Sequence, residues 1–306
     1  MKIVSLFTGA GGLDLGLTLA GHDVIWANDF DKDCIETYKH NFGAEIVLGP
    51  IQDIDSSSIP TGDVVVGGFP CQGFSLANRL RFEDDERNRL YLEFLRVVRE
   101  KKPKYFLAEN VKGILSLAKG EAIKKIERDF SEAGYRVEKQ LFNTANFGVP
   151  QTRQRVIIAG TRKDQSADLD YTFPSPTHDL KGNNGLPKWV SIGQALADIP
   201  EPADKHTLIN HICSKYKVTN RNFTGHRTTD PTKPSPTILA RGNGKGGVCA
   251  IQHPENHRRM SIREQAIIQT FPNSFEFIGS MNSCYRQVGN AVPVNFGKAL
   301  GDMLTN

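Results

Sequence analysis

IVSLFTGAGGLDLGL, residues 3–17, runs from an apolar stretch through a glycine-rich turn into apolar residues at helical spacing. The pattern predicts a strand over 3–7 and a helix over 13–20. A glycine-rich turn between two such elements lets the backbone approach a nucleotide-like ligand near a helix N-terminus. As a dinucleotide fingerprint it stops short, because Gly9 and Gly11 supply G-x-G but the third glycine falls on Asp14. A second strand, predicted over 24–27, leads to Asn28-Asp29, where a carboxylate can accept hydrogen bonds from ribose hydroxyls. Together these imply a nucleoside ligand without a pyrophosphate and count against an NAD-dependent dehydrogenase.

Outward from this unit the alternation continues. Strands are predicted over 64–66, 105–108 and 155–159, and helices over 32–41, 90–101 and 121–133. This is the rhythm of βαβ units in a mostly parallel sheet covered on both faces, an α/β Rossmann-like fold. From about residue 164 the texture changes. Pro174, Pro176, Pro187, Pro200 and Pro202 interrupt the chain, and residues 228–247 have little regular period. We expect a catalytic and cofactor-binding domain over 1–175 and a smaller loop-rich domain over 176–270. A C-terminal segment, 271–306, then returns to the first domain. SIREQAIIQTF, from Ser261, predicts a helix with a serine N-cap, and another helix follows Pro293.

The 306 residues are 39% hydrophobic and 24% charged, a globular balance. No stretch is apolar for the length a bilayer requires. The five cysteines, Cys34, Cys71, Cys213, Cys249 and Cys284, are scattered without a C-x-x-C pair. That spacing argues against a zinc site or a disulfide framework and for a reducing, cytoplasmic setting. The net charge of +4 is unevenly placed, since residues 205–263 hold eleven Lys and Arg against Asp230 and Glu255 alone. A basic segment beside a mildly acidic body is the footprint of a polyanion binder.

Four further stretches carry polar chemistry. DVVVGGFPCQGF (63–74) ends a buried strand on a turn that presents Cys71. YFLAENVKGI (105–114) ends another on Glu109-Asn110, where open α/β sheets place their ligands. QTRQRVIIAG (151–160) sets Arg153 and Arg155 at strand alternation, and YRQVGNAVPVN (285–295) reads as a tight polar turn at Gly289-Asn290.

The ordered series F-x-G-x-G-G, G-G-F-P-C-Q, E-N-V, Q-x-R-x-R and Q-V-G-N-A-V-P resembles that of the bacterial DNA (cytosine-5)-methyltransferases of restriction-modification systems. The resemblance spans nearly the whole chain, the stretch from about 165 to 255 excepted. It implies the fold of S-adenosylmethionine-dependent methyltransferases, with a target-recognition domain reading double-stranded DNA. It further implies that Cys71 adds to C6 of a flipped-out cytosine, and that Glu109 protonates or hydrogen-bonds N3. Arg155, with Arg153, would hold the base or adjacent phosphates, and the Phe69 carbonyl would meet the exocyclic amine. Phe7, Gly9, Gly11, Asp29, Phe30, Leu90 and Asn290 match positions around S-adenosylmethionine. Thr237 matches a threonine of the target region, where Arg241 and Lys245 flank a glycine-rich turn suited to DNA contact.

One departure stands out. The family usually shows Gly-Asp-Ile after its third strand, whereas this chain has Gly49-Pro50-Ile51. Proline cannot offer an acid to the adenine amine, which leaves Asp53 or backbone groups for that contact. A tRNA cytosine-5 methyltransferase shares the catalytic framework, but its Cys-Phe-Thr signature is missing from the target region. A catalytically silent DNA-binding relative is disfavoured by the presence of Cys71, Glu109 and Arg155. The expected setting is a monomer in the cytoplasm, with a restriction endonuclease acting on the same site as its companion.

Overall fold

The computed structural model describes residues 1–43, 46–70, 89–183, 185–214, 228–240, 250–255 and 258–305. Strands form at β1 (Lys2–Leu6), β2 (Asp23–Asp29), β3 (Ile46–Leu48), β4 (Val64–Gly67) and β5 (Tyr105–Val111). They continue with β6 (Tyr135–Asn143), β7 (Gln151–Thr152), β8 (Gln154–Arg162) and β9 (Ser235–Pro236). Seven of them make one sheet in the order β3-β2-β1-β4-β5-β8-β6. Pairings from β3 through β5 are parallel, and β8 runs antiparallel to both β5 and β6. The strand order reverses between β1 and β4, the switch point at which such sheets open a crevice.

Strand alternation sorts the apolar residues onto two faces. Val4, Leu6, Val65 and Phe106 pack with Phe94, Val98, Ile126 and Phe130. The latter come from α3 (Arg89–Lys101) and α4 (Glu121–Glu132), and Phe106 stacks on Phe130 with ring centroids 4.2 Å apart. Ile3, Val64, Val66 and Leu107 lie on the opposite face with Leu17, Phe296 and Leu300. Here α1 (Gly12–Leu19) crosses the C-terminal helix (Val294–Gly301). A Cβ on Gly16 would stand 2.5 Å from the Lys298 amide, so this glycine of the N-terminal motif serves helix contact. Each large side chain buried in these layers contributes about 1.5–3 kcal/mol.

Beyond β8, among the described residues, regular structure thins before Met281. Within 176–270 the described helices are α5 (Ile192–Leu196) and α6 (Ile262–Ile268). Ile192, Leu196, Ile238, Ile251, Met260 and Ile268 form a small core of their own. The expected N-cap of α6 is present as a full capping box, Ser261 with Glu264. The segment is tied to the chain just before β8 through β9, which pairs with β7 in parallel as a separate two-stranded sheet.

Two readings are corrected. The tight polar turn expected at Gly289-Asn290 is the end of a helix, α7 (Met281–Asn290), and the C-terminal helix is α8. The basic segment is less exposed than its composition implies. Arg263 is buried and donates to the carbonyls of Ile209, Pro272 and Phe275. Arg259 is buried with its guanidinium 3.6 Å from the centre of the Tyr285 ring. Arg258 is paired with Glu201 and Glu264. Three of the eleven cations therefore hold the fold together. Among the described residues no helix is long and apolar enough to cross a membrane, and no His, Cys, Asp and Glu group could hold a metal.

Candidate active site

The carboxyl ends of β1, β2, β4 and β5 share one rim, so Phe7, Asp29, Gly68 and Glu109 are brought to it by the parallel register. The loop after β1 turns through left-handed backbone at Phe7 (φ 55°), Gly9 (φ 57°) and Gly11 (φ 87°). For the phenylalanine this is a strained conformation. Two buried carboxylates hold it. Asp14 accepts hydrogen bonds from the hydroxyls of Ser5, Thr8 and Tyr38. Asp29 accepts from the backbone amides of Gly9 at 2.8 Å and Asp31 at 2.9 Å. Burial raises the pKa of both above the ordinary aspartate value, and these hydrogen bonds act against that rise. Asp14, which breaks the dinucleotide fingerprint, is thus a brace for the loop. That role was missed in the sequence because its three partners are remote or polar.

The two motif glycines differ. A Cβ on Gly11 would strike the Phe42 ring at 2.5 Å, whereas one on Gly9 would meet nothing within 4 Å. Gly9 therefore fronts open space. Phe30, directly after Asp29, presents a ring that is 68% exposed. Leu90 packs against the core beneath α3, and Asn290 is exposed at the end of α7. Asp53 is exposed on the turn after Pro50.

Glu109 and Arg155 meet because β8 runs antiparallel to β5. Val111 stands opposite Arg155 and Glu109 opposite Ile157, which makes the two charged residues diagonal neighbours. Arg155 Nε lies 2.6 Å from Glu109 Oε1, with both side chains only 12–15% exposed. Gly68 abuts this pair, since a Cβ there would sit 3.0 Å from Glu109 Oε2. Asn110 Nδ2 donates to the Phe69 carbonyl at 2.9 Å, tying the turn after β4 to the end of β5. The turn runs on through Pro70 to Cys71, which lies outside the described residues.

Arg153 takes a different place from Arg155. Its guanidinium is 2% exposed and donates to the carbonyls of Ile238 (2.9 Å) and Gly289 (3.0 Å). Burial, with a smaller effect from Arg155, lowers its pKa to about 9. The side chain works as a strut between the segment at Ile238 and α7. Gln151 acts beside it: its side-chain Oε1 accepts the Ile238 amide, and its Nε2 donates to Gln269 Oε1. The hydroxyl of Thr237 donates to the Thr152 carbonyl at 2.8 Å. Thr237 and Arg155 both line a cleft of about 590 Å³. Arg241 and Lys245 lie outside the described residues.

Open space before Gly9 at the switch point of a doubly wound sheet and a carboxylate–guanidinium pair on the same rim frame a candidate active site. The chain belongs to the C-5 cytosine-specific DNA methylase family, whose model matches residues 1–306. It is 42% identical over 316 residues to the Type II methyltransferase M.NgoFVII of Neisseria gonorrhoeae, covering 95% of this chain and 83% of that protein. It is 36% identical over 353 residues to the Type II methyltransferase M.BsuRI of Bacillus subtilis, covering 100% and 79%. Among solved structures, the S. pombe Dnmt2 methyltransferase shares the fold with a TM-score of 0.72 at 20% identity, covering 99% of this chain and 98% of that one. The protein is a DNA (cytosine-5)-methyltransferase.

Proposed function

We propose that the enzyme methylates C5 of a cytosine flipped out of a specific duplex sequence, through a covalent bond between Cys71 Sγ and C6. The observation that carries this reading is the joint placement of the Gly68–Phe69 turn, Glu109 and Arg155 at one rim.

The open space at Gly9, the exposed Phe30 ring and the Asp29 carboxylate fit an adenosine-bearing methyl donor. Phe7, Gly9, Asp29, Phe30, Leu90 and Asn290 would hold S-adenosylmethionine, and Gly11 would keep the loop tight against Phe42. When bound, that group supplies an electrophilic methyl. The chain's own residues prepare the base. A stacked cytosine cannot present C6 to a side chain, so the base leaves the helix at a cost of a few kcal/mol. The Cys71 thiolate forms a bond to C6, and the displaced electron pair accumulates over N3 and C5. Glu109 meets that charge at N3 with a proton or a hydrogen bond. Arg155 holds the Glu109 carboxyl and faces the base. Once C5 carries its methyl group, loss of the C5 proton returns the electron pair, breaks the S–C6 bond and restores the ring.

Residues 176–270 would read the target sequence, with Arg241 and Lys245 contributing contacts to bases or phosphates. The enzyme would work as a monomer on sites shared with a companion endonuclease.

Labelled methyl transfer to duplex DNA and to total tRNA tests the substrate, and a duplex containing 5-fluorocytosine tests the covalent step. Fluorine at C5 blocks the final proton loss, so wild-type protein should form a denaturation-stable adduct. Cys71→Ser should form none and lose methyl transfer while keeping DNA binding. Near-normal turnover by the serine variant would overturn covalent attack by Cys71.

A further inference from the structure

Asp29 and Leu48 stand opposite each other where β2 and the edge strand β3 end in parallel register. A ribose hydrogen-bonded at the end of β2 leaves its base beside the residues that follow, Phe30 along the chain and Leu48 to Pro50 across the pairing. Three side chains there are exposed and apolar: Phe30 (68%), Leu48 (48%) and Pro50. The backbone acceptors around them are engaged. Asn28 Nδ2 donates to the carbonyls of Val47 and Gly49, each at 2.9 Å. The Pro50 carbonyl accepts the Asp53 amide at 3.0 Å, and the Ile51 carbonyl accepts the Ile54 amide and Arg96 Nη2. Pro50 itself has neither an N–H nor a side-chain acceptor. Two carboxylates stand nearby in the chain. Asp31 caps the helix Lys32–Phe42 and pairs with Arg286, and Asp53 is exposed to water three residues beyond Pro50. Among the described residues, this corner therefore offers a base apolar surface in place of a dedicated acceptor for an exocyclic amine.

We propose that the enzyme holds the purine of its methyl donor by stacking and shape and leaves the 6-amino group unread, so that donors altered at position 6 bind as well as the adenosine form. The inference rests on the reading above of an adenosine-bearing donor beside Gly9, Asp29 and Phe30. A site built to hydrogen-bond an N–H rejects the analogue that lacks it, because the site's own buried acceptor is then left unpaired. Here removal of the amine leaves no such acceptor behind, since Pro50 has none and the neighbouring carbonyls keep their own donors. Selection of the base falls to Phe30, whose exposed ring offers a flat face for stacking, and to the apolar surfaces of Leu48 and Pro50.

The test is calorimetric titration of the full chain with S-adenosylhomocysteine, its 6-deamino (purine) analogue and its 6-methylamino analogue. All three should bind within about threefold of one another, since no hydrogen bond distinguishes them. Phe30→Ala should weaken all three by the same factor. Pro50 sits at φ −63° and ψ 134°, a conformation open to any residue. Pro50→Asp should therefore keep the turn, supply a carboxylate, and make the purine analogue bind about tenfold or more weaker than S-adenosylhomocysteine. Pro50→Ala should leave the three alike, which separates a gained acceptor from a lost ring. A wild-type preference of about tenfold or more for the amine would overturn the inference, and its disappearance in Asp53→Ala would identify Asp53 as the acceptor. Failure of Pro50→Asp to create a preference would overturn the placement of the base beside Pro50. Absence of binding by all three ligands would overturn the donor reading itself, an outcome distinct from discrimination among them.

Discussion

Asn110 Nδ2 donates to the carbonyl of Phe69 at 2.9 Å, and Oδ1 of the same side chain accepts the Val111 amide at 2.9 Å. One buried side chain thus fixes both the end of β5 and the turn that leads to Cys71. Asn110→Ala leaves the Phe69 carbonyl without this donor in a buried setting, a loss of about 1–3 kcal/mol. We expect a melting temperature lower by a few degrees and a turnover number reduced tenfold or more. Binding of S-adenosylmethionine should stay near the wild-type level, because the Gly9–Asp29 side of the rim is untouched. A parallel loss of turnover and cofactor affinity would show a general collapse of the fold in place of a displaced turn.

Glu109→Gln preserves shape and removes the charge that Arg155 faces at 2.6 Å. If Glu109 meets the charge that develops at N3, the single-turnover rate should fall by about 10²–10⁴-fold, the usual range for losing a general acid or base. Duplex affinity should change little. An unchanged single-turnover rate would remove Glu109 from the mechanism.

The central sheet was legible because β1, β4 and the start of β5 are short apolar runs, and burial on both faces demands such runs. β6 was not foreseen. It is an edge strand whose middle, Glu138 to Leu141, is exposed, so no apolar pattern marks it. The same edge explains how β8 is inserted antiparallel, bringing Arg155 to Glu109, a contact that motif order alone does not reveal. At α7 the glycine was misread as a turn signal because its purpose is tertiary. Local sequence likewise does not distinguish Arg153 from Arg155. One ends against two backbone carbonyls and the other against a carboxylate, and only the crossing chain segments decide which.

Stability should depend on pH through two buried histidines, His211 and His253. His211 contacts the Pro200 carbonyl and the Ser261 hydroxyl, and His253 lies 3.7 Å from Glu264, with Arg258 and Glu201 close by. Burial lowers the pKa of both histidines below the ordinary value of about 6.5. The folded state therefore favours their neutral forms. Their contribution is fully present above the unfolded pKa and is lost as pH falls through the lower folded values. The melting temperature should decline from about pH 7 toward pH 5, and His253→Gln should flatten that decline. An identical pH profile in the variant would exclude His253 as a source.

The final prediction concerns the crossing at Gly289. A Cβ placed there would lie 2.4 Å from the Ala240 amide nitrogen and 2.5 Å from the Leu239 carbonyl carbon, both backbone atoms with no rotamer to yield. The carbonyl of the same residue accepts from Arg153, whose other nitrogen binds the Ile238 carbonyl. Gly289→Ala must therefore push residues 238–240 away from α7 and stretch the Arg153 strut. Overpacking of this kind costs about 1–3 kcal/mol. Thr237 precedes the displaced segment and is held to Thr152 by a single hydroxyl, so the cleft beside Arg155 should change shape as well. We expect a lower melting temperature together with weaker binding to the cognate duplex and a smaller preference over scrambled sequence. Arg153→Lys, which cannot reach both carbonyls with a fixed fork, should reproduce the loss of preference without the steric clash. Retention of full sequence preference by both variants would mean that the crossing at Gly289 carries stability alone and plays no part in sequence preference.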